Sequence, residues 1–252
     1  MTFSPLDNLN GKVAVITGAM GGIGYASAIR LAAKGARIIG IVRRNLEEAQ
    51  EKLNQLPNPE LKHLALLADV TNKEELKAAY KQVSDIGRCD VLINNAGKTI
   101  RIPWQDTHLL SDDMFDRVTR DNVRSYYSVI RTFVPLLKAT PESVIVNISS
   151  VAAQRGGGSN LAYCAAKAGV DSLTRNLSQA LAPVRVVSVS PGGIETGFVP
   201  NPAEGYYEQI AKATPLQRGP TVEDVAAAVE AVVTLLRFTN GQVINVDGGR
   251  WV

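Results

Sequence analysis

The stretch Lys12-Val13-Ala14-Val15-Ile16-Thr17-Gly18-Ala19-Met20-Gly21-Gly22-Ile23-Gly24 decides how the chain is read. Its first six residues form a short apolar run rich in β-branched side chains. Such a run suits a strand buried on both faces of a parallel sheet. Glycines follow at once, and from Ile23 to Ala33 apolar residues recur at helical spacing. Strand, glycine turn and helix in immediate succession open a βα unit. Glycine permits positive φ and lets a phosphate approach the main chain closely. The helix N-terminus adds unpaired N–H groups and the positive end of its dipole. In this context the turn reads as a pyrophosphate site for a dinucleotide rather than as a plain tight turn.

The same alternation runs outward from this unit. Strand-like runs stand at Arg37–Val42, His63–Leu67, Asp90–Asn94, Ser143–Ile148, Val184–Val189 and Gln242–Val246. Helical periodicity fills Leu46–Gln55, Lys73–Asp85, Asp112–Lys138, Leu161–Leu181 and Val222–Leu236. The order predicts an α/β, doubly wound (Rossmann-type) parallel sheet with helices on both faces, in one domain over residues 1–252. The longest expected irregular stretch is Pro191–Pro220, rich in Pro and Gly and carrying Phe198, Tyr206 and Tyr207. An irregular segment of that length in a compact domain is usually functional, and a substrate lid is expected at about 195–215. Packing of those aromatic rings onto the body accounts for them equally well.

Composition narrows the function classes. The chain has 252 residues, 45% of them apolar and 20% charged, with a net charge of +3. No basic stripe marks a nucleic-acid or anionic-membrane surface. No apolar run is long enough to span a bilayer, and MTFSPLDNLNGK lacks the apolar core of a secretory signal. Cys89 and Cys164 form no CxxC, so a disulfide framework is not expected and a reducing cytoplasm is. His63 and His108 are far apart and have no ligand spacing around them, so no metal site is expected.

In a dinucleotide fold the residue closing the second strand chooses between cofactors. Here the strand ends Ile41-Val42-Arg43-Arg44, with no carboxylate. A guanidinium suits a 2′-phosphate by charge and by bidentate geometry. Arg43, nearer the strand end, and Arg44 therefore favour NADP(H) over NAD(H). The alternative is that both are solvated charges opening the next helix.

Tyr163 and Lys167 stand four apart on a predicted helix and share a face. A lysine ammonium beside a phenol favours the phenolate and is expected to bring its pKa down from about 10 towards neutrality. An acid/base for alcohol–ketone interconversion needs that property. The pair carries little weight alone, because a chain with seven tyrosines readily produces one by chance. Ser149-Ser150 adds to it, closing the strand SVIVNI at the edge where open α/β sheets bind ligands. A serine hydroxyl there can hold a substrate oxygen near the tyrosine.

Taken together, TGAMGGIG at Thr17–Gly24, NNAG at Asn94–Gly97, Ser150 thirteen residues before YxxxK, and PGGIET at Pro191–Thr196 resemble the short-chain dehydrogenase/reductase family. The match runs from about Gly11 to Gly249. The resemblance implies that Ser150, Tyr163, Lys167 and Asn122 are catalytic, with Asn122 supporting a water that relays protons to Lys167. It implies that Gly18, Met20, Gly22, Ile23 and Gly24 line the pyrophosphate, and that Asp69 and Val70 meet the adenine. Asn95, Ala96 and Gly97 would flank the adenosine ribose. Pro191, Gly192, Ile194 and Thr196 would hold the nicotinamide, and Lys167 the nicotinamide ribose. Gly21 departs from the pattern, standing where NADP-preferring relatives often carry a basic residue. Val187 stands where an asparagine is frequent.

The function expected is reduction of a ketone or 3-oxoacyl carbonyl by NADPH. The alternatives are an NAD-dependent alcohol or polyol dehydrogenase and a non-catalytic dinucleotide-sensing protein. Specificity is expected in Gly156–Gly158, Lys98–Trp104 and the lid. Arg131 and Arg175 either meet an acidic carrier protein or are simply solvated. The resemblance also implies a homotetramer or homodimer, with Trp251 available to cover a subunit interface.

Overall fold

In the computed structural model, which describes residues 8–155 and 157–250, the strands are β1 (Val13–Thr17), β2 (Arg37–Val42), β3 (Leu64–Leu67), β4 (Val91–Asn94), β5 (Val144–Ile148), β6 (Arg185–Pro191) and β7 (Val243–Val246). They form one parallel sheet in the order β3-β2-β1-β4-β5-β6-β7. Helices α1 (Gly22–Ala33), α2 (Leu46–Asn54), α3 (Lys73–Ile86), α4 (Asp112–Thr119), α5 (Ser125–Ala139), α6 (Ala152–Arg155), α7 (Leu161–Ala180), α8 (Tyr206–Lys212) and α9 (Val222–Thr234) connect or cover it. The doubly wound fold read from the strand–helix alternation is the fold observed. Gly156 and Trp251, with the roles expected of them, lie outside the described residues.

Every residue of β1, β4 and β5 is buried, because helices close both faces of the sheet. On one face Leu31 of α1 and Val225, Val229 and Val232 of α9 pack over Ile16, Ile93 and Val146. On the other, Leu76 and Val83 of α3 and Phe133 and Leu137 of α5 pack over Val15, Leu92 and Ile145. Complete burial of a side chain such as Phe133 stabilises by about 1.5–3 kcal/mol.

One polar row crosses this second face. Asn94, Asn147 and Ser188 are aligned in register on β4, β5 and β6. The Asn94 Nδ2 donates to Asn147 Oδ1 at 2.9 Å, and the Asn147 Nδ2 donates to Thr174 Oγ1 of α7 at 2.9 Å. Thr174 and Ser188 share a 2.8 Å bond between hydroxyls. All four residues are buried.

Two helical expectations need correction. Asp112–Lys138 is not one helix, because a π turn at Arg120–Arg124 separates α4 from α5. The Asn122 Nδ2 donates to the Val118 carbonyl at 2.8 Å, the acceptor its own main-chain N–H would use in an α turn. The Ser125 N–H closes on the Arg120 carbonyl, five residues back. Such turns are frequent at functional sites. Pro191–Pro220 is not wholly irregular either: Pro191 ends β6, and α8 lies inside the expected lid.

The N-terminal ends of β1 and β4 are tied by Asp90. Its carboxylate accepts from Arg88 Nε and Nη2, both at 2.7 Å, and from the Val13 N–H at 2.9 Å, with Lys12 Nζ at 3.2 Å. Burial would raise its pKa, but Arg88, the Val13 amide and Lys12 outweigh that and hold it below the ordinary value. The stability it contributes is present above the unfolded value of about 3.9 and is lost as pH falls through the lower folded value. Asp90→Ala is expected to cost about 3 kcal/mol in urea unfolding at neutral pH, with the difference from wild type shrinking in acid. Equal unfolding midpoints at neutral pH would contradict this account of Asp90.

Candidate active site

The strand order reverses between β1 and β4, and the loops leaving them part to open a crevice at the carboxyl edge of the sheet. Every residue expected to bind cofactor follows or ends one of β1 to β6 at this edge, except Lys167 on α7. Thr17 closes the bottom of the crevice. Its hydroxyl accepts from the N–H groups of Asn95 and Ala96 at 3.0 and 3.1 Å and donates to the Ile93 carbonyl at 3.3 Å. The Asn95 Nδ2 donates to the carbonyls of Thr17 and Gly18 at 3.1 and 3.0 Å. The Asn95 side chain is therefore committed to shaping the glycine turn.

The turn has the form a pyrophosphate needs. Gly18 has φ +67°, and a Cβ on it would stand 3.1 Å from the Ala96 Cα. A Cβ on Gly24 would strike the Gly18 carbonyl and come within 2.6 Å of Asn95 Nδ2. One on Gly22 would stand 3.1 Å from Thr196 Cγ2, so the turn faces the PGGIET segment across the crevice. No side chain caps α1 at Gly21, which leaves its first amides for an anion. The Met20 carbonyl, pointing away, accepts from Lys52 at 3.2 Å.

At the β2 and β3 end, Arg43 and Arg44 are exposed and Val70 is half-buried. The Asp69 carboxylate accepts from the Thr71 N–H and hydroxyl at 2.8 and 2.7 Å. Burial works to raise its pKa, and the two Thr71 bonds, with Arg43 and Lys98 nearby, bring it below the ordinary value. Arg43 and Asp69 thus lie together where the resemblance places the adenosine.

Ser150 follows β5, and Tyr163 and Lys167 share one face of α7. The Ser150 hydroxyl stands near the Tyr163 phenol and favours its ionised form. Asn160 fixes the start of this helix: its Oδ1 accepts from the Tyr163 N–H at 2.8 Å, and its Nδ2 donates to the Ile100 carbonyl at 2.7 Å. An asparagine before a periodic run is an N-cap signal, so the sequence held a mark of Asn160 that the motif match left aside. Phe198 lies against the tyrosine, ring centroids 5.7 Å apart.

The electrostatics differ from the simple lysine–phenol pairing. Burial pushes the Tyr163 phenol above its ordinary pKa, the Ser150 hydroxyl opposes this, and Cys164 and Tyr206 add to the rise. Burial lowers Lys167 to about 7, with Asp171 acting against it. Lys167 Nζ is 5.7 Å from the Tyr163 ring centroid and donates instead to the Ile148 carbonyl at 2.7 Å and the Tyr126 hydroxyl at 3.2 Å. The expected lowering of the tyrosine is therefore not found, because the charge points elsewhere and burial dominates.

Asn122 sits in the π turn with no exposure. Its Nδ2 donates to the Lys98 carbonyl at 2.6 Å as well as to Val118, and its Oδ1 has no hydrogen-bond partner among the described residues. His63 is structural: Nδ1 accepts from the Ile38 N–H at 3.0 Å, leaving Nε2 to donate to the Pro57 carbonyl at 2.9 Å. Arg131 lies over the Tyr127 ring, and Arg175 lies near Asp171. No helix among the described residues is long and apolar enough to cross a membrane.

Comparison with known proteins agrees with this geometry. The family described as short chain dehydrogenase matches residues 12–206. The chain is 34% identical to the 3-oxoacyl-(acyl-carrier-protein) reductase FabG of Thermotoga maritima, over 96% of this chain and 98% of that one. Among solved structures, 3-ketoacyl-(acyl-carrier-protein) reductase from Brucella melitensis, complexed with NADH, superposes with a TM-score of 0.87 at 31% identity, covering 97% of this chain and 100% of that one. Levodione reductase superposes with a TM-score of 0.88 at 27% identity, covering 96% and 98%. Motif order, sheet topology and these relatives agree, and the chain belongs to the short-chain dehydrogenase/reductase family of oxidoreductases.

Proposed function

We propose that the chain is an NADP(H)-dependent oxidoreductase that reduces a ketone or 3-oxoacyl carbonyl to an alcohol, with Tyr163 as proton donor. The observation carrying this reading is the approach of the Ser150 hydroxyl to Tyr163 at the carboxyl edge of β5, with Lys167 one helical turn along α7. The names of the Thermotoga and Brucella relatives, both acyl-carrier-protein reductases, support carbonyl reduction.

Lys167, Pro191, Gly192, Ile194 and Thr196 would hold the nicotinamide, which when bound in reduced form would supply hydride to the carbonyl carbon. Ser150 donates a hydrogen bond to the carbonyl oxygen and keeps it beside Tyr163. The Tyr163 phenol, kept protonated by its burial, gives that oxygen its proton. Lys167, charged below about pH 7, stabilises the phenolate left behind. Asn122 supports a water that returns the proton, since its buried Oδ1 needs a donor that the described residues do not supply. Phe198 and α8, within the lid at about 195–215, exclude solvent over the tyrosine.

Arg43 beside Asp69 supports the 2′-phosphate, and Arg44 stands next to it. A second reading, an NAD-dependent alcohol or polyol dehydrogenase, draws on the uncharged Gly21 and on the Brucella relative complexed with NADH. Assembly as a cytoplasmic homotetramer or homodimer belongs to the same proposal. It is supported by Phe115, Tyr127 and Leu161, apolar side chains exposed on α4, α5 and α7.

The test is loss of the reduced-nicotinamide absorbance band over a panel of ketones, aldehydes and 3-oxoacyl thioesters, with NADPH and NADH compared. Turnover with NADPH preferred is expected. Tight NADPH binding without any turnover would establish a sensing protein instead. Tyr163→Phe should lower kcat by about a thousandfold while leaving the Kd for NADPH, read by fluorescence, unchanged. A variant retaining wild-type kcat would remove Tyr163 from the chemistry. Arg43→Asp should lower kcat/KM with NADPH by roughly tenfold to a hundredfold and leave NADH little affected. An unaltered NADPH/NADH ratio would return Arg43 to the solvated surface.

A further inference from the structure

Lys167 is 3% exposed and ends in a polar triangle. Its Nζ donates to the Ile148 carbonyl and to the Tyr126 hydroxyl, and that hydroxyl donates to the same carbonyl at 3.1 Å. Tyr126 is itself 2% exposed, on the first turn of α5 beyond the π turn. The lysine Nζ lies 4.8 Å from the centroid of the Tyr126 ring, closer than the 5.7 Å to that of Tyr163. Of these two tyrosines, the buried one outside the YxxxK pair holds the lysine.

We propose that Tyr126 is a positioning residue, whose hydroxyl and ring hold the Lys167 ammonium against the Ile148 carbonyl and keep it charged within reach of Tyr163. A buried ammonium needs acceptors for its protons and loses charge without them. The triangle offers two acceptors, and the ring face adds cation–π attraction. The other ionisable groups facing Lys167 stand on its own helix: Tyr163 above it and Asp171 one turn below, with Arg175 beyond Asp171. From β5 it meets the uncharged Ile148 carbonyl, and from α5 it meets Tyr126. Among the described residues, Tyr126 is thus the one ionisable side chain that binds the ammonium directly, and its hydroxyl is oriented by the bond it donates to the Ile148 carbonyl. In catalytic terms the inference rests on the reductase reading above, since it assigns Lys167 a proton to keep.

The sign follows from the direction of the bond. The Tyr126 oxygen accepts from the charged form of Lys167, so removing it favours the neutral form and lowers the lysine pKa further. The test is Tyr126→Phe, which keeps the ring. In protein labelled with 13Cε-lysine, the Lys167 resonance is identified by its loss in Lys167→Met. Its titration midpoint is expected to fall by roughly one pH unit in Tyr126→Phe. In NADPH-dependent reduction the basic limb of kcat/KM should move to lower pH by the same amount. In wild-type protein labelled with 13Cζ-tyrosine, the Tyr126 signal should shift with the Lys167 midpoint, a reading that needs no variant to fold. A lowered Tm with both the lysine midpoint and the pH limb unmoved would make Tyr126 a packing residue and overturn the proposal. A Tyr126 signal indifferent to the lysine titration would overturn it too. No turnover in the wild type would instead fail the reductase reading, and the lysine titration would still decide the role of Tyr126.

Discussion

Where two parallel strands diverge, the hydrogen bonds that joined them end, and the main-chain donors beyond that point must find other acceptors. Here the divergence falls between β1 and β4, and the donors are the amides of Asn95 and Ala96. The Thr17 hydroxyl takes both and returns its own proton to Ile93. Asn95 then reaches back to the carbonyls of Thr17 and Gly18. The crevice is therefore walled by satisfied polar groups, and the glycine turn has its shape before any ligand arrives. The absence of side chains at Gly18 and Gly24 is part of the same device, because a Cβ at either would press on this clamp. Preorganisation of that kind removes an ordering cost that binding would otherwise carry.

The second constraint is the solvation of one buried cation. The fold places Lys167 where water is scarce and charge is costly. Its neighbours then set how much of the charge survives. The same burial that lowers the lysine raises Tyr163, so the two groups move apart in pKa.

Much of this was legible in the sequence. The strands read clearly because burial on both faces forces continuous apolar runs. The glycine turn, NNAG, the serine pair and PGGIET read clearly because each sits where a strand meets its loop. The π turn was hidden, since the periodicity of Asp112–Lys138 continues through it and its cause is one side-chain bond from Asn122. Helix α8 was hidden because YYEQIAK is only seven residues long and buries Ile210 alone. Tyr126 passed for an ordinary aromatic in a helix. The direction of the Tyr163 shift was misread for a related reason: spacing shows which residues share a face, while depth and the partners of Lys167 depend on how α5, α7 and β5 come together.

The polar row under α7 carries a further consequence. Apolar helix–sheet contacts are non-directional, and an interface made of them alone tolerates a small slide or screw of the helix. The bonds from Asn94 through Asn147 to Thr174 and Ser188 are directional, and any such slide would break them in the dry interior. They act as a mechanical index that sets the height of Tyr163 above the end of β5. Neither Lys98–Trp104 nor the segment 195–215 joins this row. Their lengths and residues can drift over generations while the distance between Tyr163 and Ser150 stays put, so the rim of the crevice can change without moving that pair.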